Sequence, residues 1–146
     1  MEEKEIENVI RNLIYSLEKN DVDGALSLFT DDATWFTTQG TFRGRDEIKK
    51  YLAWLGNSLT DVKFTDDGVG IIVLGNKAIY QSTYDALYKG TKIKVGNVCT
   101  YEFSGDRIKN HWTIMDRLSL AKQAATGPIA RKVVNSVIAR TEIGLH

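Results

Sequence analysis

The apolar positions of this chain change their period once, near residue 60. Before that point they follow a helical spacing. Ile6, Val9, Ile10, Leu13, Ile14 and Leu17 fall three and four apart and predict an amphipathic helix over residues 3–20. Asn20 and Asp21 offer a break and a new N-cap for a short helix with Ala25, Leu28 and Phe29. Residues 33–38, Ala-Thr-Trp-Phe-Thr-Thr, are β-branched and aromatic and predict a strand. A third helix follows Gly44, with Asp46 and Glu47 at its positive end and a stripe of Ile48, Tyr51, Leu52, Leu55 and Leu59.

Beyond residue 60 the period becomes two. Four long strands are predicted to about residue 118, with turns near Asp66-Asp67-Gly68, Gly75-Asn76, Lys89-Gly90 and Ser104-Gly105-Asp106. Gly127-Pro128 then opens a last helix, whose apolar stripe is Ile129, Val133, Val134, Val137 and Ile138. Helices followed by a strand meander define an α+β fold, with N-terminal helices packed on a curved antiparallel sheet and a C-terminal helix added. The expected organisation is a domain over residues 1–124 and an amphipathic helical extension of it over 125–146.

Charge narrows the partners. Nineteen Lys plus Arg balance 19 Asp plus Glu in 146 residues, which leaves no basic excess for nucleic acid or an anionic membrane. One Cys excludes an internal disulfide framework, and two distant His give no metal-ligand spacing, so no metal is expected. No glycine-rich phosphate loop occurs, which leaves a nucleotide cofactor without support. The opening Met-Glu-Glu-Lys-Glu-Ile-Glu-Asn lacks the apolar stretch of a signal peptide, so the cytoplasm is the expected compartment.

Candidate chemistry concentrates in the last strand. Strict alternation puts Ile108, Asn110, Trp112, Ile114, Asp116 and Leu118 on one face, and His111, Thr113 and Met115 on the other. The first set carries the isoleucines and the tryptophan, so it is expected inward, with Asp116 in an apolar interior. Desolvation there would raise a carboxyl pKa toward the range of a general base. The alternative is that Asp116 caps a short helix over Leu118–Gln123. On the preceding strand Ile93, Val95, Asn97, Cys99, Tyr101 and Phe103 share a face. Tyr80, Ser82, Tyr84 and Tyr88 share a face of the strand before it, with the inward side left open. Asn97, Tyr101, Tyr15, Trp35, Trp54, Tyr84 and Trp112 form the expected pocket lining, aromatic with a few polar tips.

The order of a helix, Asp21 to Phe36, Thr41 to Leu55 and four strands resembles the nuclear-transport-factor-2-like superfamily. Trp112, Asp116 and Gln123 are similar to the closing motif of its SnoaL-like, polyketide cyclase-like branch. The resemblance implies a cone-shaped α+β barrel enclosing a pocket. It also implies a homodimer through the outer sheet face, and no metal or organic cofactor. By that resemblance Asp116 would be the acid/base residue of a lyase or isomerase acting on a small hydrophobic carbonyl compound. After Gln123 the cyclases' Leu-Gly is replaced by Ala124-Ala125. The related ketosteroid isomerases would have their base Asp at Thr37, their oxyanion Tyr near Leu13 and their protonated Asp near Cys99, and none is retained. The other reading of the same fold is a non-catalytic ligand-binding or dimerisation module.

Overall fold

Three helices pack on the concave face of one six-stranded sheet in the computed structural model, which describes residues 1–146. In chain order the elements are α1 (Glu3–Lys19), α2 (Val22–Leu26), β1 (Phe29–Thr37), β2 (Gly40–Arg43), α3 (Gly44–Ser58) and β3 (Leu59–Leu74). They continue as β4 (Lys77–Tyr88), β5 (Thr91–Ser104), β6 (Arg107–Met115), α4 (Arg117–Ala124) and α5 (Pro128–Thr141). The α+β fold, the cone and the C-terminal helix stand as expected. The sheet differs in one pairing. Its order is β2-β1-β6-β5-β4-β3, and β1 runs parallel to β6, so the sheet is mixed rather than antiparallel throughout.

The first and third helices form where the apolar spacing places them. However, α2 stops at Leu26, so Phe29 opens β1 instead of ending the helix, and Leu59, expected on the stripe of α3, opens β3. In α1 the side chains of Ile6, Ile10, Leu13 and Ile14 are buried, and the helix ends at Asn20 in the left-handed conformation. In α2 the Asp21 carboxylate accepts from the Gly24 amide at 2.9 Å, which is the expected cap. Ile48, Tyr51 and Leu52 of α3 face the sheet.

Asp66-Asp67-Gly68 is not a turn between strands. It belongs to a bulged stretch inside β3, where the pairing with β4 shifts between Asp66 and Ile71. Gly68 and Gly70 take left-handed φ values of 51° and 60° there, a conformation that glycine adopts without the Cβ clash of other residues. A second shift, between Thr60 and Lys63, holds Asp61 at φ 51°. The two irregularities curl the sheet edge around the helices. Arg11 of α1 clamps this edge with paired 2.6 Å bonds to Asp66, which also accepts from the Tyr80 hydroxyl at 2.9 Å.

The core is divided. A large cluster joins α1, α3 and β1 to the Tyr80, Tyr101 and Phe103 region, while Tyr84, Ala86, Ile93 and Val95 form a separate small one. Beyond the sheet, α4 packs against β5, and α5 packs on α4. Ile129, Val133 and Val137 of α5 remain exposed.

Candidate functional site

The space between the two clusters is a cavity of about 660 Å³. Its size lies within the 300–1,000 Å³ range of small-molecule pockets. Hydrophobic residues are 22 of the 35 that line it, so an occupant must be largely apolar. Charged side chains at its boundary (Glu18, Lys19, Asp21, Asp61 and Arg117) come from the end of α1, the turn after it, the start of β3 and the start of α4.

The floor comes from alternate residues of three strands. Ala78, Tyr80, Ser82, Tyr84 and Ala86 of β4 are inward, which resolves the face left open by alternation. Ile93, Val95, Asn97, Cys99, Tyr101 and Phe103 of β5 are all buried, as their alternation predicts. On β6 the inward set is Ile108, His111, Thr113 and Met115. The expected face is therefore inverted after Ile108. The cause is a β-bulge: Phe103 pairs with Ile108 but Glu102 pairs with Asn110, leaving Lys109 as an extra residue. One inserted residue moves every later side chain to the opposite face.

His111, expected outward, is the most enclosed polar group of the site. Its ring lies between Trp35, at 4.6 Å and 21°, and Tyr101, at 4.5 Å and 19°. Burial lowers its pKa to about 3, so it is neutral. Its Nε2 is 3.5 Å from the Thr113 hydroxyl, and its Nδ1 has no hydrogen-bond partner. Thr113 in turn accepts from the Trp35 indole at 2.9 Å. Asn97 donates to Ser82 at 3.1 Å and contacts the Cys99 sulfur. Burial pushes the Cys99 thiol pKa up, which keeps it protonated and unreactive.

Five tyrosines border the cavity, with Tyr88 at its outer end and the other four in different duties. Tyr51 donates to Gln39 at 2.6 Å, and burial raises its pKa to about 12. Tyr80 is tied to Asp66, and burial with that hydrogen bond raises it to about 12 as well. Tyr84 and Tyr101 are also raised by burial, but their hydroxyls have no nitrogen or oxygen partner in the protein. The Tyr84 hydroxyl is free to donate to an occupant, and that of Tyr101 has only the Cys99 sulfur beside it, a weak acceptor that a carbonyl can replace.

The expected site residues separate into two groups. Trp35, Trp54, Tyr84 and Tyr101 line the cavity. Asn97 is buried beneath its floor and holds Ser82 and Cys99 in place rather than lining it. Tyr15 is 61% exposed, because it falls on the solvent side of α1. Trp112 is on the outer sheet face, stacked on Phe36 at 5.0 Å, as a result of the bulge. Asp116 lies outside the cavity and is exposed. Its carboxylate accepts from the Ser119 amide at 3.0 Å and caps α4, so the capping alternative describes its position. Sequence alternation missed His111, Thr113, Tyr51 and Gln39. The missed signal for the first two is the bulge, which leaves no mark in the composition of Arg107–Met115.

The SnoaL-like domain model matches residues 10–111, well over half of the chain, and the chain belongs to that family. No curated protein matches it in sequence. A hypothetical protein from Catenulispora acidiphila with a ketosteroid isomerase-like fold, solved with trimethylamine, superposes with a TM-score of 0.74 at 17% identity, covering 82% of this chain and 93% of its own. A nuclear-transport-factor-2-like protein of unknown function from Burkholderia pseudomallei gives 0.75 at 15% identity over 84% and 98%. A protein from Shewanella denitrificans described as a SnoaL-like polyketide cyclase gives 0.73 at 15% identity over 84% and 97%. At these identities the likeness is one of fold.

Proposed function

We propose that this SnoaL-like chain binds a small hydrophobic carbonyl compound in the cavity without a cofactor. One observation carries the reading: the hydroxyls of Tyr84 and Tyr101 border an apolar cavity and lack nitrogen or oxygen partners. Both hydroxyls are reachable from the cavity, since neither is a fully enclosed unpartnered atom, and a hydrogen bond from either to a ligand carbonyl is worth about 1 kcal/mol. Of the other polar groups on the floor, Thr113 is engaged with Trp35, while His111 keeps an unpartnered Nδ1 closed off between two rings. The charged groups lie at the boundary. An apolar ketone should therefore quench the fluorescence of Trp35 and Trp54 with saturation, whereas the unchanged signal of a protein that takes up no ketone would refute the reading.

A lyase or isomerase is the second reading. It rests on the resemblance of Trp112, Asp116 and Gln123 to the closing motif of the cyclase branch. It requires Asp116, which caps α4 outside the cavity, to leave the Ser119 amide and turn past Met115 toward a bound carbonyl. Asp116 would take a proton from the carbon beside a bound carbonyl and return it after bond rearrangement. Asp116→Asn would then lower turnover by about 10²–10⁴-fold with binding retained. Unchanged turnover removes this reading and leaves the first standing.

The chain is also proposed to form a homodimer through the outer sheet face. Phe36, Trp112, Thr100, Ile79 and Ile72 are successive cross-strand neighbours there, and the two isoleucines are exposed. Light scattering should give twice the 16.4 kDa chain mass, and Ile79→Lys should halve it. A wild-type mass of one chain would refute the dimer.

A further inference from the structure

We propose that the cavity recognises its ligand at two ends, taking an elongated apolar molecule with one hydrogen-bond acceptor for Tyr101 and another for Tyr84. The inference rests on the binding reading above and adds the shape and polarity of what is bound.

The two tyrosines stand on adjacent strands but far apart along them. Tyr101 pairs with Ala78 of β4, and Tyr84 lies six residues further along the same strand. At about 3.3 Å per residue their Cα atoms are offset by about 20 Å along the strand direction. Both side chains are inward, and each ring is fixed by different neighbours. Tyr101 stacks on His111 at 4.5 Å within the large cluster. Tyr84 meets Phe64 edge-on at 5.1 Å within the small one. The cavity lies between the clusters and touches both rings. The Tyr84 hydroxyl has no hydrogen-bond partner, that of Tyr101 has only the weakly accepting Cys99 sulfur beside it, and burial keeps both phenols protonated.

The groups between these ends reinforce the assignment. The Thr113 hydroxyl already accepts from Trp35. Gln39 accepts from Tyr51, and His111 is neutral between two rings. None of them supplies a charge to the middle of the cavity. The middle of the ligand is therefore uncharged and, against a lining that is hydrophobic at 22 of 35 residues, mostly apolar, with acceptors placed toward opposite ends for the two tyrosines. A single-headed amphiphile would leave one of the two tyrosines unmatched.

Three rigid probes separate the possibilities: biphenyl, 4-acetylbiphenyl and 4,4′-diacetylbiphenyl, titrated against tryptophan fluorescence. The diketone should bind about 5-fold tighter than the monoketone, the worth of one neutral hydrogen bond. Tyr84→Phe and Tyr101→Phe should each reduce the diketone to the affinity of the monoketone. The monoketone should change by less than about twofold in either single variant, because it can turn to the remaining tyrosine. The double variant should bring both ketones to the level of biphenyl. Thermal melting confirms that each variant is folded. Equal affinities for the mono- and diketone, or loss confined to one tyrosine, would overturn the two-ended reading alone. Failure of all three probes to bind would overturn the binding reading with it.

Discussion

The side-chain amide of Gln123 completes the backbone hydrogen bonds of Lys94, accepting from its N–H at 2.7 Å and donating to its carbonyl at 2.8 Å. β6 ends at Met115, opposite Asn97, so residues of β5 before Asn97 have no strand beside them on that side. A glutamine on α4 substitutes for the missing strand. This ties α4, and with it Leu120 and Ala124 at the cavity, to the sheet.

Replacing Gln123 should therefore loosen α4 before it unfolds the domain. Gln123→Ala is expected to cost about 1 kcal/mol, since water can reach the exposed Lys94 backbone and replace part of what is lost. Hydrogen exchange checks the location: the Lys94 amide should exchange faster while amides of β4 paired with β5 keep their protection. Uniform acceleration along both strands would count against the local role.

His111 should make the protein acid-sensitive. Its folded pKa of about 3 lies below the ordinary histidine value of 6.5, so the unfolded chain binds a proton that the folded chain refuses. The resulting stability is complete above pH 6.5 and falls as pH drops toward 3, by up to about 1.4 kcal/mol per pH unit for one proton. His111→Phe keeps a ring between Trp35 and Tyr101 and removes the orphaned Nδ1. Urea midpoints measured from pH 7 to pH 4 should then fall less steeply than in the wild type. Parallel curves for the two proteins would disprove the assignment.

The Arg11–Asp66 clamp should also weaken in acid, but at a lower pH than the one where His111 begins to act. Its arginine hydrogen bonds, and the Tyr80 hydroxyl, hold the Asp66 carboxyl below its ordinary 3.8. The stabilisation is present above that value and is lost as pH falls through the lowered one. Both partners are more than a third exposed, so solvent screening limits the clamp to about 1 kcal/mol or less. Asp66→Asn should cost that amount at neutral pH and nothing in strong acid. Denaturation at the two pH values is the measurement.

Asp116 should matter to α4 whatever its part in chemistry. Asp116→Ala removes the bond to Ser119 and should cost about 1 kcal/mol of stability, the usual loss at an N-cap. Asp116→Asn keeps an oxygen acceptor and should recover most of it. A melting series of wild type, Asn and Ala in that order of stability confirms the cap.

Much of this architecture is legible from residue spacing because local and tertiary preferences agree. In α1, Ile6, Ile10 and Leu13 repeat with the helix and are buried by it. In β5 no bulge interrupts Ile93 to Tyr101, so period two holds from one cluster to the other. β6 misleads because both of its faces are apolar. Ile108 is buried, whereas Trp112 and Ile114 point to the outer face, so they mimic one continuous inward set across the extra Lys109. A bulge is a property of two paired strands, and β6 alone carries no record of it. The position of Asp116 followed the same error. Its capping role was visible in the helix that begins after it, and the alternation argument pulled the other way.

The division of the core has a kinetic side. Tyr84, Ala86, Ile93 and Val95 occupy the outer part of the β4–β5 hairpin and share no buried cluster with the rest. The unit is still held at its edges: β4 pairs with β3 from Leu59 to Phe64, α4 packs on β5, and Phe64 touches both clusters. A molecule touching both clusters adds a second link between them, so its binding should slow amide exchange in the two together.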